Sequence, residues 1–233
     1  MHVTALQFDI VWESPAENFA TVEAMLGESP PPPGGIVVLP ELFATGFSMN
    51  TAATMLAELP THEFLTRIAK RYQTSILAGV AMTSDGAPRN MAVLVGPDGD
   101  VEFTYAKRNP FPPAGEPEVY AAGTQPGIFE CCGKKCCVAI CYDLRFDEIY
   151  NMAAAADVEM IFVIASFPAV RRDDWIRLLA ERARQTRAHV IGCNRIGRDP
   201  NEAYAGDSVI LDPAGQPLAE AGDRQTAIGA NLG

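Results

Sequence analysis

Apolar positions in this chain fall into two kinds of block. Continuous apolar runs at 36–39, 138–140 and 160–165 have the length of strands covered on both faces. Longer blocks carry apolar residues three and four positions apart, the spacing of helices packed on one side. Residues 2–9 alternate as a half-buried strand does. Ser14-Pro15-Ala16-Glu17 then reads as a helix start, with Ser14 as N-cap, Pro15 at the first helical position and Glu17 closing a capping box. Phe19, Val22, Met25 and Leu26 share its inner face. The prolines at 30–33 with Gly34-Gly35 make a connector into a strand that runs to Glu41. A helix over 61–73 buries Phe64, Leu65, Ile68 and Ala69. Strands follow at 75–82, 90–95 and 101–107, the last two joined by the turn sequence Gly96-Pro97-Asp98-Gly99-Asp100. Residues 108–127 read as a long loop, and a loop of that length inside a compact chain is usually a binding loop or disordered. Beyond it come a strand to Ile140, a helix over 147–156, a strand over 160–166, and a helix with Trp175, Leu178, Leu179 and Ala183 inward. Strands at 190–196, 206–211, 216–221 and 226–232 complete the chain. Alternating strands and helices without a repeat or linker predict one α/β domain spanning 1–233.

Three strand ends carry chemistry. Val138-Ala139-Ile140-Cys141-Tyr142-Asp143-Leu144-Arg145-Phe146 passes from a buried strand directly into a polar, helical stretch, a corner that sets a cysteine at the rim of a sheet. Cys141 is therefore a candidate nucleophile, although for most cysteines met singly the reading as a core residue would win. Glu41 and Lys107 end two other strands, where groups of open α/β sheets gather, although a solvated loop glutamate would have the same sequence context. A cysteine nucleophile usually borrows a histidine. Each of the three histidines is more easily explained as structural, since His2 opens a strand, His62 starts an exposed helical turn and His189 ends a helix, where it can sit against the last carbonyls.

Composition narrows the partners. The 233 residues carry a net charge of −11 with pI near 4.7, so nucleic acid and anionic membranes are disfavoured and a small molecule is expected. No apolar run reaches the ~18 residues of a membrane span, and the first residues lack the basic start and apolar centre of a signal peptide, which points to the cytoplasm. Cys131, Cys132, Cys136 and Cys137 flank Gly133-Lys134-Lys135. Neighbouring strand residues point to opposite faces, so a hairpin turning at 133–135 with packed cysteines fits better than a zinc site.

Leu39-Pro40-Glu41-Leu42-Phe43-Ala44-Thr45-Gly46-Phe47, Tyr105-Ala106-Lys107-Arg108 and Ile140-Cys141-Tyr142-Asp143-Leu144-Arg145-Phe146 resemble, in order and spacing, the three catalytic segments of the nitrilase (carbon–nitrogen hydrolase) superfamily. The segments Cys193-Asn194-Arg195 and Phe167-Pro168-Ala169-Val170-Arg171 are most similar to its ω-amidase branch, which hydrolyses the terminal amide of α-keto acid amides such as 2-oxoglutaramate. The resemblance implies a four-layer αββα sandwich with Glu41 as general base, Cys141 as nucleophile and Lys107 as oxyanion stabiliser. It also implies Glu116 as the additional glutamate that orients Lys107, the Tyr142 backbone N–H as a second oxyanion donor, and no metal or organic cofactor.

A substrate that keeps one carboxylate needs a cation. Arg145, Arg171 and Arg172 are candidates, because an arginine fork binds carboxylates in bidentate fashion; Arg145 has Asp147 and Glu148 as competing partners. Phe43, Phe111, Tyr120 and Phe167 are candidate walls. The sequence departs from ω-amidases at Arg108-Asn109-Pro110-Phe111, where a histidine-containing segment is common, and at Asp174 before Trp175. Little chain follows the last strand, where some members have a tail used in dimers. A homodimer through a helix face around Ala180 and Ala183 is expected. A carbamoylase or nitrilase of the same superfamily, a non-catalytic binding domain and a zinc-binding module are the other readings.

Overall fold

The computed structural model describes all 233 residues, Met1–Gly233. Its elements in order are β1 (His2–Gln7), α1 (Pro15–Glu28), β2 (Ile36–Val38), α2 (Thr51–Leu56), α3 (Glu58–Tyr72), β3 (Ser75–Ser84), β4 (Ala87–Val95) and β5 (Val101–Ala106). There follow α4 (Glu116–Val119), β6 (Ile128–Cys131), β7 (Lys134–Ile140), α5 (Asp147–Ala155), β8 (Met160–Ala165) and α6 (Arg172–Thr186). The last strands are β9 (His189–Asn194), β10 (Ile196–Arg198), β11 (Ala203–Ala205), β12 (Val209–Leu211), β13 (Pro217–Glu220) and β14 (Thr226–Asn231).

Two six-stranded sheets form, ordered β14-β1-β2-β3-β4-β5 and β13-β12-β9-β8-β7-β6, while β10 and β11 pair as a separate ribbon. In each sheet the central strands run parallel, β1–β2–β3 in one and β7–β8–β9 in the other, and antiparallel strands close the edges. The continuous apolar runs occupy these parallel centres because both of their faces are covered. Alternation along the strands divides the core. Val38, Leu77 and Leu94 turn into a cluster of 42 residues that runs through the second sheet to Leu178, Leu179 and Ala183 of α6. Val37, Ile76, Ala78 and Val93 turn the other way, onto Val22 and Leu26 of α1 and Phe64, Leu65 and Ile68 of α3. The result is the expected αββα stack.

Several local expectations need correction. Ser14 makes no cap to the backbone; its hydroxyl donates to Glu17 Oε1 at 2.7 Å instead. The short α2 has too few apolar positions to show a helical period. The stretch 108–127 is not structureless, since it holds a 3₁₀ turn over Pro112–Ala114 and α4. The cysteine hairpin turns one residue early, at Cys132-Gly133, both with positive φ (52° and 72°), and Cys131 pairs with Lys134. No three His, Cys, Asp or Glu side chains cluster closely enough to hold one metal ion. Ala183 is fully buried against the sheet, so of the two residues named for the dimer patch only the half-buried Ala180 remains at the surface.

One close approach links the fold to the strand ends. Gly79, in β3, donates its N–H to the carbonyl of Pro40, and an added Cβ would stand 2.4 Å from Glu41 Cα and 2.7 Å from Leu42 N. Backbone atoms cannot give way as a flexible side chain does. Gly79→Ala is expected to destabilise the protein by about 1–3 kcal/mol through overpacking, read as a lowered urea midpoint at unchanged m-value. A midpoint equal to wild type would show that the contact is slack.

Candidate active site

The loops after β2, β5, β7 and β8 meet at one end of the sandwich. Glu41 follows β2, Lys107 follows β5, Glu116 opens α4, and Cys141 follows β7 in a 3₁₀ turn over Cys141–Arg145. The four side chains come together, although they are scattered along more than a third of the chain. Lys107 Nζ lies 2.8 Å from Glu41 Oε1 and 2.8 Å from Glu116 Oε2, with Lys107 1 % and both glutamates 0 % exposed. Asn90, in β4, donates from one amide nitrogen to Glu41 Oε1 and Glu116 Oε1, each at 2.8 Å. The N–H of Ser166 donates to Glu41 Oε2 at 2.8 Å, and that of Phe111 to Glu116 Oε2 at 2.5 Å.

Cys141 has φ of +47°, a left-handed conformation that costs a non-glycine residue free energy and is held only where its surroundings insist. Asp143 supplies that insistence. Its Oδ2 accepts from the Ile140 N–H (3.0 Å) and the Tyr105 hydroxyl (2.9 Å), and its Oδ1 from the Asn109 N–H (2.9 Å) and side-chain amide (2.8 Å). One buried carboxylate thus binds the cysteine corner to β5 and to the segment just after Lys107. The Cys141 thiol points to the Ser166 carbonyl at 3.7 Å, so a single residue touches both the sulfur and Glu41.

Burial would push Lys107 towards its neutral form, but Glu41 and Glu116 outweigh it and hold the ammonium well above the usual lysine range. Burial raises the Cys141 thiol far above its ordinary value and the charge of Glu41 adds to this, while Lys107 acts in the opposite direction. Glu116 is also raised by burial, with Lys107 opposing. Burial and Glu41 thus favour the thiol form of the sulfur, with Lys107 as the opposing cation.

Cys141 and Ser166 open onto a cavity of about 360 Å³, lined also by Phe47, Phe111, Tyr142, Arg145, Phe167, Arg171 and Tyr204. Lys107, Glu41 and Glu116 lie behind its floor, with the Phe47 ring centroid 5.1 Å from Lys107 Nζ. Of the expected wall residues, Phe111 and Phe167 are in place. Phe43 is not: it is fully buried between sheet and helices, against Phe19 and Phe64, because its side chain follows the outward face of the first sheet. Tyr120 is likewise buried off the cavity, its hydroxyl bonded to Ser48 and Thr54. Arg145 pairs with Asp174 at 2.7 Å, not with Asp147 or Glu148, and Arg172 pairs with Asp207 away from the cavity. Arg171 lies over the Phe111 ring at 5.0 Å and has no acidic partner within the chain. Asn90 and Ser166 join the site without having stood out in the sequence; their only signal is a polar residue at the mouth of an apolar strand, 90 before 91–95 and 166 after 160–165.

A carboxylic acid, an ammonium and a thiol thus meet at one cavity of an αββα sandwich. The carbon–nitrogen hydrolase family model matches residues 2–230, and the chain belongs to that family. It is 36% identical over 228 residues to an omega-amidase YafV from Yersinia enterocolitica, covering 97% of this chain and 87% of that protein. It is 31% identical over 233 residues to a 2-oxoglutaramate amidase from Bacillus subtilis, covering 99% and 90%. Among solved structures it matches XC1258 of Xanthomonas campestris, a CN-hydrolase superfamily protein, with TM-score 0.90 and 29% identity over 99% of this chain and 89% of that one. An amidase from Nesterenkonia sp. shares the fold at TM-score 0.90 and 22% identity, over 100% of this chain and 90% of that one.

Glu41→Gln removes the charge that lifts the thiol while leaving Lys107 in place. The pH profile of Cys141 alkylation by iodoacetamide is therefore expected to move to lower pH in the variant, as followed by mass spectrometry. An unmoved profile would mean that Glu41 does not sense the sulfur.

Proposed function

We propose that this enzyme hydrolyses the terminal amide of a small carboxylate-bearing amide of the 2-oxoglutaramate kind through a cysteine acyl-enzyme. The observation that carries the reading is the Glu41–Lys107–Glu116 cluster set behind Cys141 at the floor of a cavity that also holds an unpaired arginine. Glu41 takes the thiol proton as Cys141 attacks the amide carbon, so the high thiol pKa is met by a base in place. Negative charge developing on the amide oxygen falls to Lys107 and the Tyr142 N–H. Such preorganised donors are worth ~10²–10³ in rate each. Glu41 returns its proton to the leaving ammonia, then activates water against the thioester. Glu116 and Asn90 hold Lys107 and Glu41 in register. No step calls for a metal or organic cofactor.

Arg171 is assigned the substrate carboxylate, Phe111 and Phe167 the walls around its carbon chain, and Arg145, already paired with Asp174, a secondary place. Residues 1–233 act as one domain, in the cytoplasm. A homodimer is proposed too, now through the exposed Ile176 and Leu218 rather than Ala183.

Ammonia release from 2-oxoglutaramate, glutamine, simple aliphatic amides, carbamoyl amino acids and nitriles tests the reading. Wild type is expected to prefer the keto acid amide, and Cys141→Ser to lose the activity. Preference for a nitrile or a carbamoyl compound would assign another branch of the family, and turnover by the Cys141→Ser variant would remove the mechanism.

Arg171→Ala gives a separate measure. Losing a charged hydrogen bond of ~1.5–3 kcal/mol should lower kcat/KM for anionic amides by about 10- to 100-fold. Neutral amides should be unaffected; an equal loss on both would place the carboxylate elsewhere.

A further inference from the structure

The four cysteines of the β6–β7 hairpin take no part in the chemistry above. Three of them, Cys131, Cys136 and Cys137, are buried, but Cys132 stands exposed at the turn. Its sulfur lies 3.5 Å from that of Cys131 and 3.9 Å from the carbonyl of Gly35, beside the start of β2. The hydrogen bond from the Cys131 thiol is the chief cause that holds Cys132 down to about 6, and the N-terminal ammonium lowers it further. Of the two sulfurs, the exposed one is the more readily deprotonated.

Two thiols this close suggest a disulfide, but the backbone disfavours it. Adjacent Cα atoms across a trans peptide are ~3.8 Å apart, short of the ~4.4–6.8 Å that disulfides span. No peptide bond in the chain is cis. A bridging atom relaxes that constraint. Two bonds of ~2.3 Å at a pyramidal three-coordinate centre, with an angle of roughly 100° between them, hold sulfurs about 3.5 Å apart, which matches the observed 3.5 Å. With no third ligand of the His, Cys, Asp or Glu kind in reach, the pair suits a centre that brings its own remaining substituent.

We propose that Cys131 and Cys132 form a dithiol site, remote from the catalytic cavity, that chelates thiophilic trivalent metalloids of the monosubstituted arsenical class. The step is a ligand exchange without redox change. An arsenical R–As(OH)₂ exchanges both As–O bonds for As–S bonds to Cys131 and Cys132. The Cys131 proton and one proton from solvent leave with the two hydroxides as water, and arsenic remains trivalent.

The probe is phenylarsine oxide, added to folded full-length protein in the Cys141→Ser background so that the cavity thiol cannot contribute. One arsenical per chain should be retained against excess monothiol and released by a dithiol such as 2,3-dimercaptopropanol, as read by intact mass. Because a second thiol on the same scaffold acts at a high effective concentration, Cys132→Ser should weaken retention by about 10²-fold or more. Cys132 is exposed and outside the catalytic machinery, so Cys132→Ser made in the wild-type chain should keep the fold and the amidase rate. Absence of a bound arsenical in the Cys141→Ser protein, retention undiminished by Cys132→Ser, or ready displacement by monothiol would each overturn the assignment.

Discussion

The constraint on which the rest depends is a lysine ammonium sealed between two carboxylates. Lys107, Glu41 and Glu116 are all buried, and three charges without water would be untenable singly. They persist because nearly every lone pair is used: the ammonium meets both acids, Asn90 bridges them, and the N–H groups of Ser166 and Phe111 cap the outer oxygens. Such a cluster rarely stabilises a protein more than an apolar plug of equal volume would. In the proposed mechanism its value is chemical, since the cation is fixed before a substrate arrives and needs no reorganisation when negative charge appears.

The same cluster explains why two sheets are needed. Glu41 and Lys107 leave the first sheet, Cys141 and Ser166 the second, and the site exists only where the ends of both are packed together. Asp143 is the fastening. It is buried, and burial raises its pKa while the Ile140 N–H pulls it back. By gripping Tyr105 of β5, Asn109 and the Ile140 N–H, it transmits the position of the lysine strand to the strained corner that carries the sulfur. Across the same gap, Ser166 grips Glu41 through both its N–H and its hydroxyl.

What the sequence disclosed follows from which features are local. Strand ends are local, so Glu41, Lys107 and Cys141 stand out wherever an apolar run stops at a reactive side chain. The layers are legible too, because continuous apolar runs and helical stripes report how many faces are covered. Facing is less local. Phe43 lies two residues beyond Glu41, yet the left-handed turn at Leu42 (φ 47°) sends it into the core while the cavity opens the other way. Ala183 sits on a helix with two candidate partners, a sheet and a second copy, and only the packed fold shows that the sheet has taken it. Asn90 was hidden for the opposite reason: an asparagine beside an apolar strand reads as a strand end until the glutamates it bridges are assembled around it.

The charge pattern of the cavity sharpens the choice of substrate. Arg145 and Arg171 both line it, but Asp174 neutralises Arg145, and Asp199 and Glu202 line the same space. The balance leaves one cation without a partner, Arg171, half-buried over the Phe111 ring. A second carboxylate on the substrate would meet an already paired arginine or an acid. On the proposed assignment of Arg171 to the substrate carboxylate, one anionic group at one end and an uncharged amide at the other is the distribution that meets the least electrostatic cost, and the distance from Arg171 to Cys141 would set the length of carbon chain between them.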